Sequence, residues 1–440
     1  MNAIATRSCA TPNSMPKLTA LLTATALIAA AAGAARAQTF RGAIVGTVID
    51  QSQAPVPGAQ ITVKNRATGL ARAAMTDDAG NYDVRELPIG VYTVTVEKQG
   101  FAPVTQTDLR VDVAAERRLD ATLVPGKVQQ TVEVTATAPL VQSTTNVLGG
   151  TIEGPQAENL PVNGRDYTKL IFMVPGVTGS PDQITDSPGS FGVFSVNGAR
   201  GRSNNFLLDG TDMNDGYRND PTINQAGVFG TPATILPVDA VAELAVLSNF
   251  MPEYGRNAGA VINIVTKSGS NDFHGTAADF LRNSALDARN FFNPAPVPKT
   301  AFHNNQFGAS LGGPIIHDKT FFFGDYEGQR ETGGLNSLSC VPTPDRISTA
   351  SQGITVNPVI AALLQRQPWP APNLGAPPFD NCPNVSATTH IFNSVNSVIG
   401  KIDHNFNENH LLTARYYYGT SIQSFPLGLQ GGNNLPGYNT

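Results

Sequence analysis

Charge is scarce in this chain. Asp, Glu, Lys and Arg make up 14% of its 440 residues, and the net charge is −5. No basic run stands out, so composition gives no reason to expect a nucleic-acid partner. So little charge also fits poorly with a long solvated helix or an acidic disordered protein. Cysteine is scarcer still, with Cys9, Cys340 and Cys382 alone, and Trp369 is the single tryptophan. No apolar run after residue 37 approaches the length of a spanning helix, so any membrane crossing has to use strands. None of the six histidines (274, 303, 317, 390, 404, 410) has a Glu three residues on, which removes the ligand pattern of a zinc peptidase. No cofactor or metal is expected, and no residue stands out for covalent catalysis.

What is present in quantity is glycine and proline, 42 and 32 residues respectively. With low charge this composition suits all-β structure rich in turns, and the length suggests two to four domains. Residues 1–37 read as a signal peptide: Arg7 and Lys17 give a positive start, and Leu18 to Ala32 is an uncharged apolar run. Ala35-Arg36-Ala37 then offers a small-x-small cleavage site before Gln38. Cys9 would leave with it. The remaining pair, Cys340 and Cys382, reads as a disulfide in an exported protein, worth on the order of 4 kcal/mol in the chain-entropy model.

Residues 38–125 form a small β module. Strands are expected at 44–49, 59–63, 81–84, 91–96 and 119–123, separated by turn signals such as Asp77-Asp78-Ala79-Gly80. GTVIDQSQAPVPGAQITVKNRATG followed by TDDAGNYDVRELPIGVYTVTVEKQGF resembles the carboxypeptidase regulatory-like domain. That likeness implies a transthyretin- or Ig-like β-sandwich of the carbohydrate-binding-like group. Tyr82 and Tyr92 are expected in its core. Residues 126–139 read as a linker, in which Val132 and Val134 alternate within a strand that lacks an obvious partner and so suits pairing with another protein's sheet.

Residues 140–267 are expected to be mixed α/β, with short helices at 155–160 and 165–173 and strands at 195–199, 205–210 and 259–265. The blocks LPVNGRDYTKLIFMVPGV, SVNGARGRSNNFLLDGTDMND and PVDAVAELAVLSNFMPEYGRNAGAVINIVTKSG resemble, in order, the plug domain of TonB-dependent outer-membrane receptors of the Oar-like branch. By that resemblance Gln130, Thr131, Val132, Glu133, Val134, Thr135 and Ala136 fall where such proteins keep a TonB box. Two further motifs are read as decoys. Asp209 to Gly216 (DGTDMNDG) lacks calcium-loop spacing and is expected to be a turn. Ser310 in Gly308-x-Ser-x-Gly312 is expected in a strand, because Gly313-Pro314 forbids the helix of a nucleophile elbow.

From 272 to 440 the chain reads as the opening of a transmembrane β-barrel, with 13 of the 21 Phe and alternating segments near 272–282, 302–313, 319–330, 392–406 and 410–421. The connections run about 19, 5, 61 and 3 residues, the long-short alternation of such barrels, which puts 283–301 and 331–391 outside the cell. Since receptors of this kind close with 22 strands, about five strands suggest an N-terminal fragment with an incomplete barrel. Val261 to Val265 is expected as a central plug strand, and Ser268 to Asp272 as a short hinge to the barrel wall.

The resemblance implies energised uptake of an extracellular ligand (siderophore, saccharide or peptide) across the outer membrane. Its partners would be TonB with its inner-membrane energising complex, and outer-membrane lipid. Plug and sandwich would lie on the periplasmic side. The alternative is a cell-surface adhesion protein that binds carbohydrate or peptide through the sandwich.

Overall fold

The computed structural model describes residues 41–126, 132–134, 148–160, 165, 167–179, 194–214, 219, 236–249, 254–255, 259–288, 299, 301–366, 369, 371–372, 384–408, 410–425 and 438–439. Residues 1–37, read above as a signal peptide, and Gln38 lie outside them.

The first module is a two-sheet sandwich. Its strands are β1 (Gly42–Asp50), β2 (Gln60–Asn65), β3 (Ala71–Met75), β4 (Asn81–Leu87), β5 (Gly90–Glu97), β6 (Val104–Val111), β7 (Glu116–Arg118) and β8 (Ala121–Leu123). One sheet orders β4-β1-β7 with β8 also on β1; the other runs β3-β2-β5-β6. Alternate residues such as Ile61, Val63, Tyr92, Val94 and Val96 point into one core, the period-two pattern expected of a sandwich. Gly46 is required there, because a Cβ would stand 1.9 Å from the Leu119 carbonyl oxygen. Tyr82 and Tyr92 are both in the core, where their hydroxyls donate to the Leu119 and Pro88 carbonyls at 2.6 and 2.5 Å. Neither offers an open ring face for a sugar.

A ninth strand, β9 (Val132–Val134), lies parallel on β6 and extends the second sheet. The 132–134 segment therefore has a partner within its own chain. Its backbone occupies the β6 edge that would otherwise be open.

The middle module is a five-stranded sheet in the order β10-β15-β16-β13-β14. It comprises β10 (Leu148–Glu153), β13 (Asn205–Leu208), β14 (Thr211–Asp212), β15 (Val241–Asn249) and β16 (Val261–Thr266), while β11 (Val177–Gly179) and β12 (Phe194–Val196) pair separately. Helix α1 (Gly154–Asn159) is as expected, but Tyr167–Met173 is a 3-10 helix. β16 is central, and all six of its residues are buried. The reason is visible on its two faces: Ile262 and Ile264 join one core, Val261 and Val265 another.

The last module is one antiparallel sheet of β17 (His274–Asn283), β18 (Phe302–Ile316), β19 (Thr320–Ser339), β20 (Val385–Asn405), β21 (Leu411–Phe425) and β22 (Tyr438–Asn439). Tyr438–Asn439, in a tail without strand alternation, adds a sixth strand by pairing with β21. The strands are longer than their alternation indicates: 20 residues of β19 span about 65 Å, twice a hydrocarbon core. Leu311, Val398, Ile402, Leu412, Tyr416 and Tyr418 are exposed along the outward face, while Asp325, Lys401 and Phe323 are buried on the inward one. Ser310 is a β18 residue, hydrogen-bonded to the Thr276 hydroxyl at 2.8 Å.

The antiparallel order puts the 284–301 and 340–384 connections at one end of the sheet and the turns at 317–319 and 406–410 at the other. The longer connection carries α2 (Pro344–Ala350) and α3 (Pro358–Arg366). Its two ends are stitched by Asn384, which donates to the Val341 carbonyl at 2.9 Å and accepts from the Val341 N–H at 2.8 Å. Cys340 is disulfide-bonded; its expected partner Cys382 lies outside the described residues.

Ser268 to Asp272 is pinned at several points, unlike the hinge expected there. Asn271 donates its N–H to the Ala67 carbonyl of the sandwich at 2.9 Å and exchanges two hydrogen bonds with Asp318 of the β18–β19 turn. Gly269 is wedged so closely that a Cβ would meet the Phe322 carbonyl oxygen at 2.3 Å.

Candidate functional site: the charged seams of the middle module

The middle module is held on two sides, and each side combines an apolar patch with buried charge. Against the strand wall, Phe323 of β19 and Ile399 of β20 join the core of Ile152, Phe206, Leu244, Ile262 and Ile264. Beside them sits Asp209, at the tight turn between β13 and β14, with φ of 46°. Its side chain is only 6% exposed. It accepts from the Thr266 N–H at 2.8 Å and the Thr266 hydroxyl at 2.7 Å. Arg415 of β21 pairs with the same carboxylate and donates to the Leu208 carbonyl at 3.3 Å. Lys401 of β20, 4% exposed, stands 3.7 Å from Asp209 and donates to the Thr266 carbonyl at 3.2 Å. One anion of the middle module thus answers two cations of the wall, and a backbone amide and hydroxyl complete its shell. Buried charge is tolerable only when paired and hydrogen-bonded in this way.

A second contact lies nearby. Arg165 pairs with Asp239 at 3.0 Å and stacks over Phe280 of β17 at 4.0 Å from the ring centre. Lys267 pairs with Glu158 of α1.

Against the sandwich, Val113 enters a patch of Leu207, Ala245, Leu247, Tyr254, Val261 and Val265, flanked by Ile89 and Ala114. The charge here is Glu243 of β15, 3% exposed, which receives Arg110 at 2.9 Å and the Val113 N–H at 2.8 Å. Arg110 also reaches Glu153 at 3.2 Å and Asp112 at 2.7 Å. Burial pushes the Glu243 carboxyl up to about 7, and Asp112 adds to the rise; the Val113 N–H and Arg110 pull it back. Asn263 of β16 lies on this same face, and among the described residues neither its amide oxygen nor its nitrogen finds a partner. A cavity of about 390 Å³ opens where the three modules meet, lined by Arg41, Arg110, Glu243, Lys401 and Asp403.

These arrangements hold the modules against one another. Among the described residues no cluster could seat a metal ion. Of the residues singled out from sequence, Val132, Glu133 and Val134 form β9, paired with Val104, Thr105 and Gln106; Gln130, Thr131, Thr135 and Ala136 lie outside the described residues. Sequence reasoning did not bring Asp209 together with Lys401 and Arg415, or Arg110 with Glu243. Asp209 looked like one more polar turn residue, and nothing local ties Arg110 to a residue 133 positions away.

Comparison with known proteins agrees with this architecture. Residues 43–124 match the carboxypeptidase regulatory-like domain and residues 265–440 the outer membrane beta barrel domain. The TonB-dependent transporter Oar of Myxococcus xanthus is 28% identical over 329 residues, covering 71% of this chain and 29% of Oar. A probable TonB-dependent siderophore receptor, PirA of Acinetobacter baumannii, is 27% identical over 219 residues, covering 48% of this chain and 26% of its own. The chain spans under a third of the length of these curated relatives. A ferric enterobactin receptor from Pseudomonas aeruginosa superimposes over 66% of this chain and 44% of its own at 15% identity, with a TM-score of 0.31 that carries no weight. A regulatory-like sandwich, a middle sheet seated by buried charge, and barrel strands with an apolar outer face make this chain an outer-membrane protein homologous to the TonB-dependent transporter Oar.

Proposed function

We propose that the protein carries an extracellular ligand across the outer membrane in a TonB-coupled step, with the middle module as its plug. The observation that supports this reading is the seam at Asp209. Lys401 and Arg415 hold the plug to the wall through one buried carboxylate, a contact strong enough to close a path and small enough to be broken by force. In this reading 130–136 is the segment that TonB takes, as an added strand, and periplasmic tension on it is relayed to the plug. No residue carries out covalent chemistry. The ligand class is a siderophore, a saccharide or a peptide; the resemblance to a siderophore receptor makes ferric siderophores the first to try.

Cells making the full-length protein should accumulate one labelled member of a panel of ferric siderophores, maltodextrins and oligopeptides. Accumulation should collapse with a protonophore, in a strain lacking TonB, and in a Val132→Pro/Val134→Pro variant. Equal uptake with and without TonB would sink the proposal.

A further inference from the structure

The two carboxylates that Arg110 touches are cross-strand partners: Glu153 of β10 stands directly opposite Glu243 of β15. Like charges placed directly opposite on a sheet repel. The pair survives because the cation between them is supplied from another module, with Nη1 3.2 Å from Glu153 and Nη2 2.9 Å from Glu243. Arg110 is itself held by Asp112, which Arg117 braces from the other side.

β10 needs this help. It is the edge strand of its sheet, and its sequence, Leu-Gly-Gly-Thr-Ile-Glu, buries Ile152 alone. Two glycines supply no side chain to pack and lose the most backbone freedom on ordering. β10 is also the first described element of the plug after β9, so it is the part of the plug that tension on 132–134 reaches first along the chain.

From this geometry we propose that the sandwich is a releasable clasp on the plug: Arg110 locks β10 onto β15 by neutralising Glu153 and Glu243, and withdrawing the sandwich frees β10 to peel away. Two further features suit a joint that opens. The apolar contact is small, with Val113, Ala114 and Ile89 as the sandwich's contribution. Asn263 lies in that contact with its amide unsatisfied among the described residues, a cost that water would remove once the face is exposed. β9 lies on β6, the strand that carries Arg110, so a pull on β9 loads the clasp directly. The clasp is a matter of structure alone; its part in transport rests on the TonB-coupled reading above.

Hydrogen exchange on the full chain in outer-membrane vesicles tests it. Arg110→Ala should speed exchange of the 148–153 amides about tenfold, as expected when the cation facing the buried Glu243 is lost. The 44–48 amides of β1 should keep their protection, which shows the sandwich still folded. Glu153→Gln alone removes the repulsion and should change 148–153 exchange less than about threefold. Arg110→Ala/Glu153→Gln should behave like Glu153→Gln. The clasp is refuted if Arg110→Ala leaves 148–153 unchanged, or if the double variant exchanges as fast as Arg110→Ala. Should Arg110→Ala disturb β1 as well, the comparison of Glu153→Gln with wild type still decides, because loosening by Glu153→Gln alone contradicts the idea. An uptake that ignores TonB, with 148–153 still dependent on Arg110, would remove the transport reading and leave the clasp standing.

Discussion

At the scale of single residues, the middle module, the proposed plug, meets the wall around Asp209. Its carboxylate is buried and accepts from the Thr266 N–H, the Thr266 hydroxyl and Arg415, with Lys401 of a different strand as a second cation 3.7 Å away. Removing it strands two positive charges and leaves the Thr266 N–H without its acceptor, and breaking a buried pair by deleting one partner costs about 3–5 kcal/mol. Asp209→Ala should therefore destabilise the plug by that order, and Asp209→Asn by less, since an amide oxygen still accepts from Thr266 and Asn tolerates the left-handed backbone at this position. Thermal unfolding with a plug-specific probe checks both. A loss below about 1 kcal/mol for the alanine variant, the scale of an exposed pair, would mean that solvent reaches the seam.

At the scale of elements, β10 and β15 meet the sandwich through a group whose protonation matters. Burial holds the Glu243 carboxyl up to about 7, against 4.5 for an ordinary glutamate. The docked form thus binds the proton more tightly than a solvated glutamate does. Its contribution to docking is complete below about 4.5, declines as pH rises through that window and is spent above about 7. The groups facing Glu243 are Arg110 and Asp112 from the sandwich and Glu153 from β10. Exchange of the Val113 amide, which donates to Glu243, should accelerate between pH 5 and 7 beyond the intrinsic chemical rate. Glu243→Gln should flatten that excess; a steeper profile in the variant would contradict the assignment. These same elements mark the limit of what could be read in advance. β16 was legible because Val261, Ile262, Ile264 and Val265 are β-branched on both faces. β15 was not: Ala-Glu-Leu-Ala-Val-Leu has good helix formers, and its strand state is imposed by pairing with β10 and β16. β10 hides behind Gly149 and Gly150. The alternation of Val132 and Val134 showed a strand, but nothing in it pointed to β6 as the partner.

At the scale of the whole molecule, the order of modules was legible because each leaves its own local signature: turn-spaced short strands, then glycine-rich loops around buried strands, then long alternating strands with aromatics. How the modules hold one another was not, since most of the holding contacts join residues far apart in the chain, as Glu243 with Val113, Lys401 with Thr266 and Arg415 with Leu208 do. The plug is gripped from two sides, by two different sets of residues. Asp209, Phe323 and Ile399 face the wall; Glu243, Leu247 and Val261 face the sandwich. Deleting residues 43–124 should break the second grip, along with the hydrogen bond from Asn271 to the Ala67 carbonyl. The plug would stay on the wall, with the Asp209 seam intact, while the face of Leu207, Ala245, Leu247 and Val265 becomes open to solvent and Glu153 and Glu243 repel without Arg110. In outer-membrane vesicles the truncated protein should admit protease near 148–153 while the strands from His274 onward remain resistant. Restoring the sandwich as a separate 38–126 polypeptide should protect 148–153 only if docking alone, and not the covalent link, supplies the clasp. Protease resistance of 148–153 in the truncated protein would show instead that β10 is held by Ile152 and its backbone ladder, and that the sandwich adds nothing to the plug's edge.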